Sequence, residues 1–152
     1  MKAVIPPPLV LLFCGALMWV TQKYFPRLRF DLPYETVLFW VVLVIGFWVL
    51  ASGVGRIFRN KTAIHPNREA LSKATTLVTT GVFRYTRNPI YLGMAVMLVA
   101  WLLLLEHWLC AAGPLLFVAF ITKYQILPEE EALGKIFGEE YFRYRSETRR
   151  WM

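Results

Sequence analysis

Charge is scarce in this chain. Only 18% of its 152 residues are charged and 57% are hydrophobic, whereas an ordinary soluble domain is about 25% charged and about 45–50% apolar. That balance excludes a disordered chain, and a soluble domain of this length would lack the polar surface to cover its own apolar runs. Cysteine is scarce too. Cys14 and Cys110 cannot build a disulfide framework, and both sit inside apolar runs as small hydrophobes. His65 and His107 are the only histidines, too few for a histidine-rich metal site, so no metal is expected. No internal repeat or low-complexity tract is present.

Long apolar runs are what the chain has instead, together with eleven Phe, seven Tyr and six Trp. The runs place helices over about residues 5–22, 35–55, 89–105 and 108–127. A bilayer crossing needs roughly 20 apolar residues, within a range of about 17–25. The second and fourth runs meet this directly, and the first and third need flanking residues or local thinning. The fold expected is therefore all-α: one polytopic membrane domain over residues 1–152, with a connector at 56–88 and a tail at 128–152. The first run lacks a small-x-small cleavage site before Gln22 and ends in Tyr24-Phe25-Pro26, which suits a retained helix at a membrane interface.

Basic residues set the orientation. The connector carries Arg56, Arg59, Lys61, Arg68, Lys73, Arg84 and Arg87, and the tail carries Lys135, Arg143, Arg145, Arg149 and Arg150. The turn between the last two runs holds only Glu106 and His107, although Lys23, Arg27 and Arg29 follow the first run. The positive-inside rule then places both termini and the connector in the cytoplasm of a cell (inner) membrane. The net charge of +7 needs no nucleic acid to explain it, since basic residues at this face attract anionic headgroups.

The connector and the tail hold the chemistry. Residues 60–73 read as a polar loop entering a short helix, and residues 77–83 as an extended piece ending in a turn. Asn88-Pro89 reads as the start of the third helix, with Asn as cap and Pro in the first position. Helix initiation alone leaves Arg84, Arg87, Gly81 and Tyr91 unexplained. The tail opens on Pro128-Glu129-Glu130-Glu131, which suits a helix start. Leu133, Phe137, Tyr141 and Tyr144 then form an aromatic stripe at helical spacing, a packing or membrane-surface face. Three consecutive glutamates at a membrane boundary are costly unless a cation pairs with them. Arg84, Arg87 and a cationic ligand are the partners at hand.

Two motifs make the chain recognisable. Residues 77–93, Leu-Val-Thr-Thr-Gly-Val-Phe-Arg-Tyr-Thr-Arg-Asn-Pro-Ile-Tyr-Leu-Gly, include Arg87-Asn88-Pro89-x-Tyr91-x-Gly93. The tail carries Glu129-Glu130-x-x-Leu133-x-x-x-Phe137-Gly138-x-x-Tyr141-x-x-Tyr144. Together, in this order and flanking a two-helix hairpin, they resemble the signatures of the isoprenylcysteine carboxyl methyltransferase-like membrane methyltransferases, in a short prokaryotic form. The resemblance covers about half the chain. The glycine-rich patterns of soluble methyltransferases are absent.

The resemblance implies methyl transfer from S-adenosylmethionine to a lipophilic, membrane-delivered acceptor (a carboxylate, thiol or amine) at the cytoplasmic interface. Carried over residue by residue, the cofactor-contacting positions are Thr75, Thr76, Leu77, Val78, Phe83, Asn88, Pro89, Ile90, Tyr91 and Glu129. Their chemistry suits that ligand: a carboxylate pairs with its ammonium, and aromatic faces stack on adenine or lie near the sulfonium. Asn88 and Thr75 stand where the eukaryotic enzymes have His, and Phe83 where they have Tyr. Gln125 stands where those enzymes have an Arg implicated in holding the substrate carboxylate. A neutral Gln is a weaker anchor than a guanidinium fork, which points away from an isoprenylcysteine substrate. Gln125 and Glu130 are the acceptor-side candidates, with Glu130 either a base for an amine acceptor or a helix-dipole partner. Arg87 reads as a brace between connector and tail, and His65 as a loop residue. Two other readings remain: an inactive cofactor-binding relative serving as a membrane assembly or regulatory subunit, and a transporter or channel protomer. The near absence of ionisable residues inside the runs argues against the last.

Overall fold

A computed structural model describes residues 5–59 and 76–152. These residues are helical, with no strand among them and one isolated bridge between Arg29 and His107. The helices are α1 (Pro7–Tyr24), α2 (Glu35–Arg59), α3 (Pro89–Leu105), α4 (Ala112–Ile121), α5 (Leu127–Phe137) and α6 (Glu139–Glu147). The loop expected at 60–73 lies outside the described residues. Residues 77–79 have no regular structure and lead into a short 3-10 turn, Gly81–Arg84.

The core joins α1, α3 and α4. Val10, Cys14 and Met18 recur every fourth residue and bury one face of α1 against Met94, Leu98, Cys110, Phe117 and Ile121. The two cysteines are buried and free, as expected of small hydrophobes. Where α1 meets α4, a Cβ on Gly113 would run into Met18 Sδ and Cγ. Only a residue without a side chain lets the helices approach so closely.

α2 packs mainly on α3, through small residues. A Cβ on Gly93 would sit 2.6 Å from the Gly46 carbonyl oxygen and 2.7 Å from Leu50 Cβ, and one on Gly53 would sit 2.9 Å from Pro89 Cγ. The two backbones touch. The opposite side of α2 turns Val37, Trp40, Val44, Phe47 and Trp48 outward, an exposed apolar face that suits lipid better than water.

The turn after α3 is stitched to the loop after α1. Glu106 adopts the left-handed conformation (φ 48°), where glycine is the usual helix stop. Its neighbours hold it there. Its carbonyl accepts from Phe30 N at 2.9 Å, and Oε1 accepts from Leu32 N at 3.0 Å. The fully buried His107 contacts the Phe25 carbonyl through Nε2 at 2.7 Å.

The fourth run does not stop at residue 127. Residues Trp108–Phe137 form one continuous helix in which Thr122–Ile126 is a widened π turn. Proline inside an α-helix clashes with the carbonyl four residues back. A π turn placed just before Pro128 absorbs that conflict, so the chain runs on without a break. The break comes at Gly138 (φ 50°), which divides the expected tail helix into α5 and α6. Among the described residues two helices, Glu35–Arg59 and Trp108–Phe137, are long and apolar enough to cross a membrane, and α3 is a shorter apolar helix.

Candidate functional site

The site lies where the first turn of α3 meets the first turn of α5. Asn88 and Pro89 start α3 as expected, with Pro89 buried in the first turn. This start puts Tyr91 on the inner side of the helix. The π turn and Pro128 then set the register of Glu129. The Tyr91 hydroxyl donates to Glu129 Oε1 at 2.7 Å, and Oε2 accepts no hydrogen bond from the described residues. The two sequence motifs thus meet through a single short bond.

The three glutamates divide their work. Glu129 faces Tyr91. Glu131 is exposed and pairs with Lys135 one turn on. Glu130 is buried and held by a guanidinium fork: Arg150 Nε donates to Oε1 at 2.9 Å and Nη2 to Oε2 at 2.9 Å. Arg87, itself half-buried, adds a third contact at 3.3 Å. Charge-assisted, two-point pairing of this kind is the strong form of the ion pair, and it raises the affinity of Arg150 for its proton. Arg87 therefore braces connector to tail, as expected. Arg84 is exposed and is not the partner.

The remaining predicted residues occupy three settings. Asn88 holds the capping position but does not cap: its Nδ2 donates to the Arg150 carbonyl at 3.0 Å. Pro89 and Ile90 pack against Gly53 of α2. Val78 and Phe83 are buried, Leu77 is half-buried and Thr76 exposed. The Phe83 carbonyl accepts from the buried Tyr144 hydroxyl at 2.7 Å, which ties the connector to α6. Burial raises the pKa of both Tyr144 and Tyr141, so both stay neutral. Thr75 lies outside the described residues. Gln125 sits in the π turn, 3% exposed, and its Nε2 has no hydrogen-bond partner. A buried amide donor left unpaired costs about 1–3 kcal/mol, and π turns recur at functional sites.

Arg150, Thr86 and Trp151 are the residues that sequence reasoning misses. Arg150 reads in the sequence as one more cytoplasmic positive charge, and Thr86 as motif filler. Trp151, a large aromatic after a charged stretch, is the one signal that the end of the chain is tied down.

These groups suit S-adenosylmethionine by chemistry: a carboxylate oxygen with no partner among the described residues for its ammonium, a buried aromatic at Phe83 and a phenol at Tyr91. The comparisons agree with that class. An uncharacterized protein from Haemophilus influenzae is 40% identical over 62 residues, which is 41% of this chain and 98% of the relative. Residues 34–140, well over half the chain and including both motif cores, match the phospholipid methyltransferase family. Methyltransferases of that family generally depend on S-adenosylmethionine, and it is the family to which the isoprenylcysteine methyltransferase-like signatures belong. The chain is therefore a membrane protein of the phospholipid methyltransferase family.

Proposed function

We propose that the chain transfers a methyl group from S-adenosylmethionine to a lipophilic acceptor at the cytoplasmic face of the inner membrane. The observation that carries this reading is the 2.7 Å bond from Tyr91 to Glu129, because it joins the two motifs into one polar site at one end of the apolar helices. In this reading α1, α2, α3 and the helix through α4 are four spans, with both termini cytoplasmic. α1 and α3 are about 27 Å and 26 Å long at 1.5 Å per residue, a little short of a hydrocarbon core of about 30 Å. Modest local thinning covers the difference.

The cofactor supplies a methyl group on a sulfonium, already bonded to an excellent leaving group. The protein's task is then alignment, and positioning of this sort lowers barriers by as much as roughly 7–11 kcal/mol. Glu129, oriented by Tyr91, offers its second oxygen to the ammonium. Phe83 and the backbone near Leu77 and Val78 hold the adenosine portion. Gln125, with its unpaired buried donor, faces the acceptor side and directs an acceptor oxygen or nitrogen. Glu130, already gripped by Arg150 and Arg87, is a poor base and acts in positioning. The acceptor (carboxylate, thiol or amine) arrives from the bilayer.

The test is calorimetric titration of S-adenosylmethionine and S-adenosylhomocysteine onto detergent-purified protein. Micromolar binding that Glu129→Ala abolishes supports the reading. No binding by a folded wild-type sample overturns it. Binding without methyl transfer to any lipid extract would favour the inactive, assembly-subunit alternative.

A further inference from the structure

One short segment ties the start of α3 to the π turn and to α5. After α6 the chain leaves the helix at Thr148 and runs across the start of α3. Arg87 N donates to the Arg149 carbonyl at 3.0 Å. Thr86 Oγ1 and Asn88 Nδ2 donate to the Arg150 carbonyl at 3.2 and 3.0 Å. The Arg150 side chain grips Glu130. Trp151 Nε1 then donates to Thr122 Oγ1 at 3.3 Å. This segment lies beyond residues 34–140, the part of the chain that matches the family.

The two side-chain anchors fall on opposite sides of the π turn, Thr122 at its start and Glu130 just after its end. A π turn hydrogen-bonds five residues back, one more than an α-helix, so any change in it rotates everything after it, Glu129 included, relative to everything before it. A clasp from Thr122 to Glu130 resists that rotation. The same clasp holds residues 86–88, and so the start of the helix that presents Tyr91. Glu129 and Tyr91 stay in register because a third segment grips both of their helices.

We propose that Arg150 and Trp151 are positioning residues: residues 148–151 form a strap across the π turn that fixes Glu129 against Tyr91 and thereby sets cofactor affinity. The proposal rests on the cofactor site described above, but it separates from it experimentally. S-adenosylmethionine is titrated onto the full chain in detergent, well below the melting midpoint, for wild type, Arg150→Ala, Arg150→Lys, Glu130→Gln, the Arg150→Ala/Glu130→Gln pair and Trp151→Phe. Arg150→Ala should weaken binding about tenfold, the scale of a lost charge-assisted pair, and Arg150→Lys should recover part of it, since Lys keeps the charge but not the fork. The double variant should bind no worse than the worse single one, the signature of one coupled unit. Trp151→Phe, which removes one N–H donor, should weaken binding less. Lys135→Ala, at an exposed pair away from the strap, should bind as wild type does.

Wild-type affinity in Arg150→Ala, with only a lowered melting midpoint, would overturn the strap and leave the cofactor site standing. If Arg150→Ala does not fold, Arg150→Lys and Trp151→Phe decide: unchanged affinity in both overturns the proposal. A folded wild type that binds no S-adenosylmethionine overturns the cofactor site, and the strap's role falls with it.

Discussion

Tyr91 and Glu129, 38 residues apart in sequence, are joined by a 2.7 Å hydrogen bond from phenol to carboxylate. The bond engages one carboxylate oxygen, and the second accepts no hydrogen bond among the described residues; in the proposed function that oxygen takes the cofactor's ammonium. Glu129→Gln keeps the shape and removes the charge. Its affinity for S-adenosylmethionine should fall about tenfold to a hundredfold, the cost of losing a charge-assisted hydrogen bond. Tyr91→Phe removes only the orienting bond and should cost about threefold to tenfold. Calorimetry on both variants checks the order, and a larger loss in Tyr91→Phe than in Glu129→Gln would contradict the assignment.

The contact between α2 and α3 predicts opposite outcomes for two glycines. Gly93→Ala would place a Cβ 2.6 Å from the Gly46 carbonyl. Backbone cannot yield there as a flexible side chain would, so the melting midpoint should drop, by about 1–3 kcal/mol of stability in the manner of an overpacked core. Gly55→Ala meets nothing within 4 Å and should be neutral or stabilising by up to about 1 kcal/mol, the gain in helix propensity. Thermal melts of the two variants in one detergent test the contrast.

Tyr144 closes the connector onto α6 by donating to the Phe83 carbonyl. Tyr144→Phe leaves that buried carbonyl without its partner, at a cost of about 1–3 kcal/mol. Phe83 is one of the proposed cofactor contacts, so the variant should lose cofactor affinity as well as stability. Bound cofactor should recover part of the lost melting midpoint, because ligand binding to the folded state stabilises it. A midpoint equal to wild type would show that the bond carries no weight.

Orientation can be read from outside the cell. Arg27, between α1 and α2, and Arg145, on α6, are both exposed, while the native Cys14 and Cys110 are buried. In intact cells a membrane-impermeant thiol reagent should label Arg27→Cys and not Arg145→Cys, and lysis should expose the second. The reverse pattern would invert the topology drawn from the basic residues.

Much of this protein is legible in its residues alone. α3 starts and ends where the apolar run does, at Pro89 and Leu105, because proline and the run's own ends are local signals. Two motifs are enough to indicate the family, and Arg87 is half of the answer to what pairs with Glu130. The limits are as specific. Pro128 reads as a helix start, since a proline ordinarily ends what precedes it. The chain instead keeps the helix going by inserting a π turn at Thr122–Ile126, which no local preference signals. Asn88 reads as a cap, and its side chain instead bonds the Arg150 carbonyl 62 residues away.

An apolar, all-helical membrane chain, its family and the residue types of its polar end all follow from the order of residues, because apolar run length, helix starts and motif order are properties of neighbours in the chain. Which glutamate meets which partner follows only from packing. Glu129, Glu130 and Glu131 are chemically identical and adjacent, and on a helix each turns about 100° from the last. Their roles come from what the fold brings opposite each face: the Tyr91 phenol, the Arg150 fork, and solvent beside Lys135.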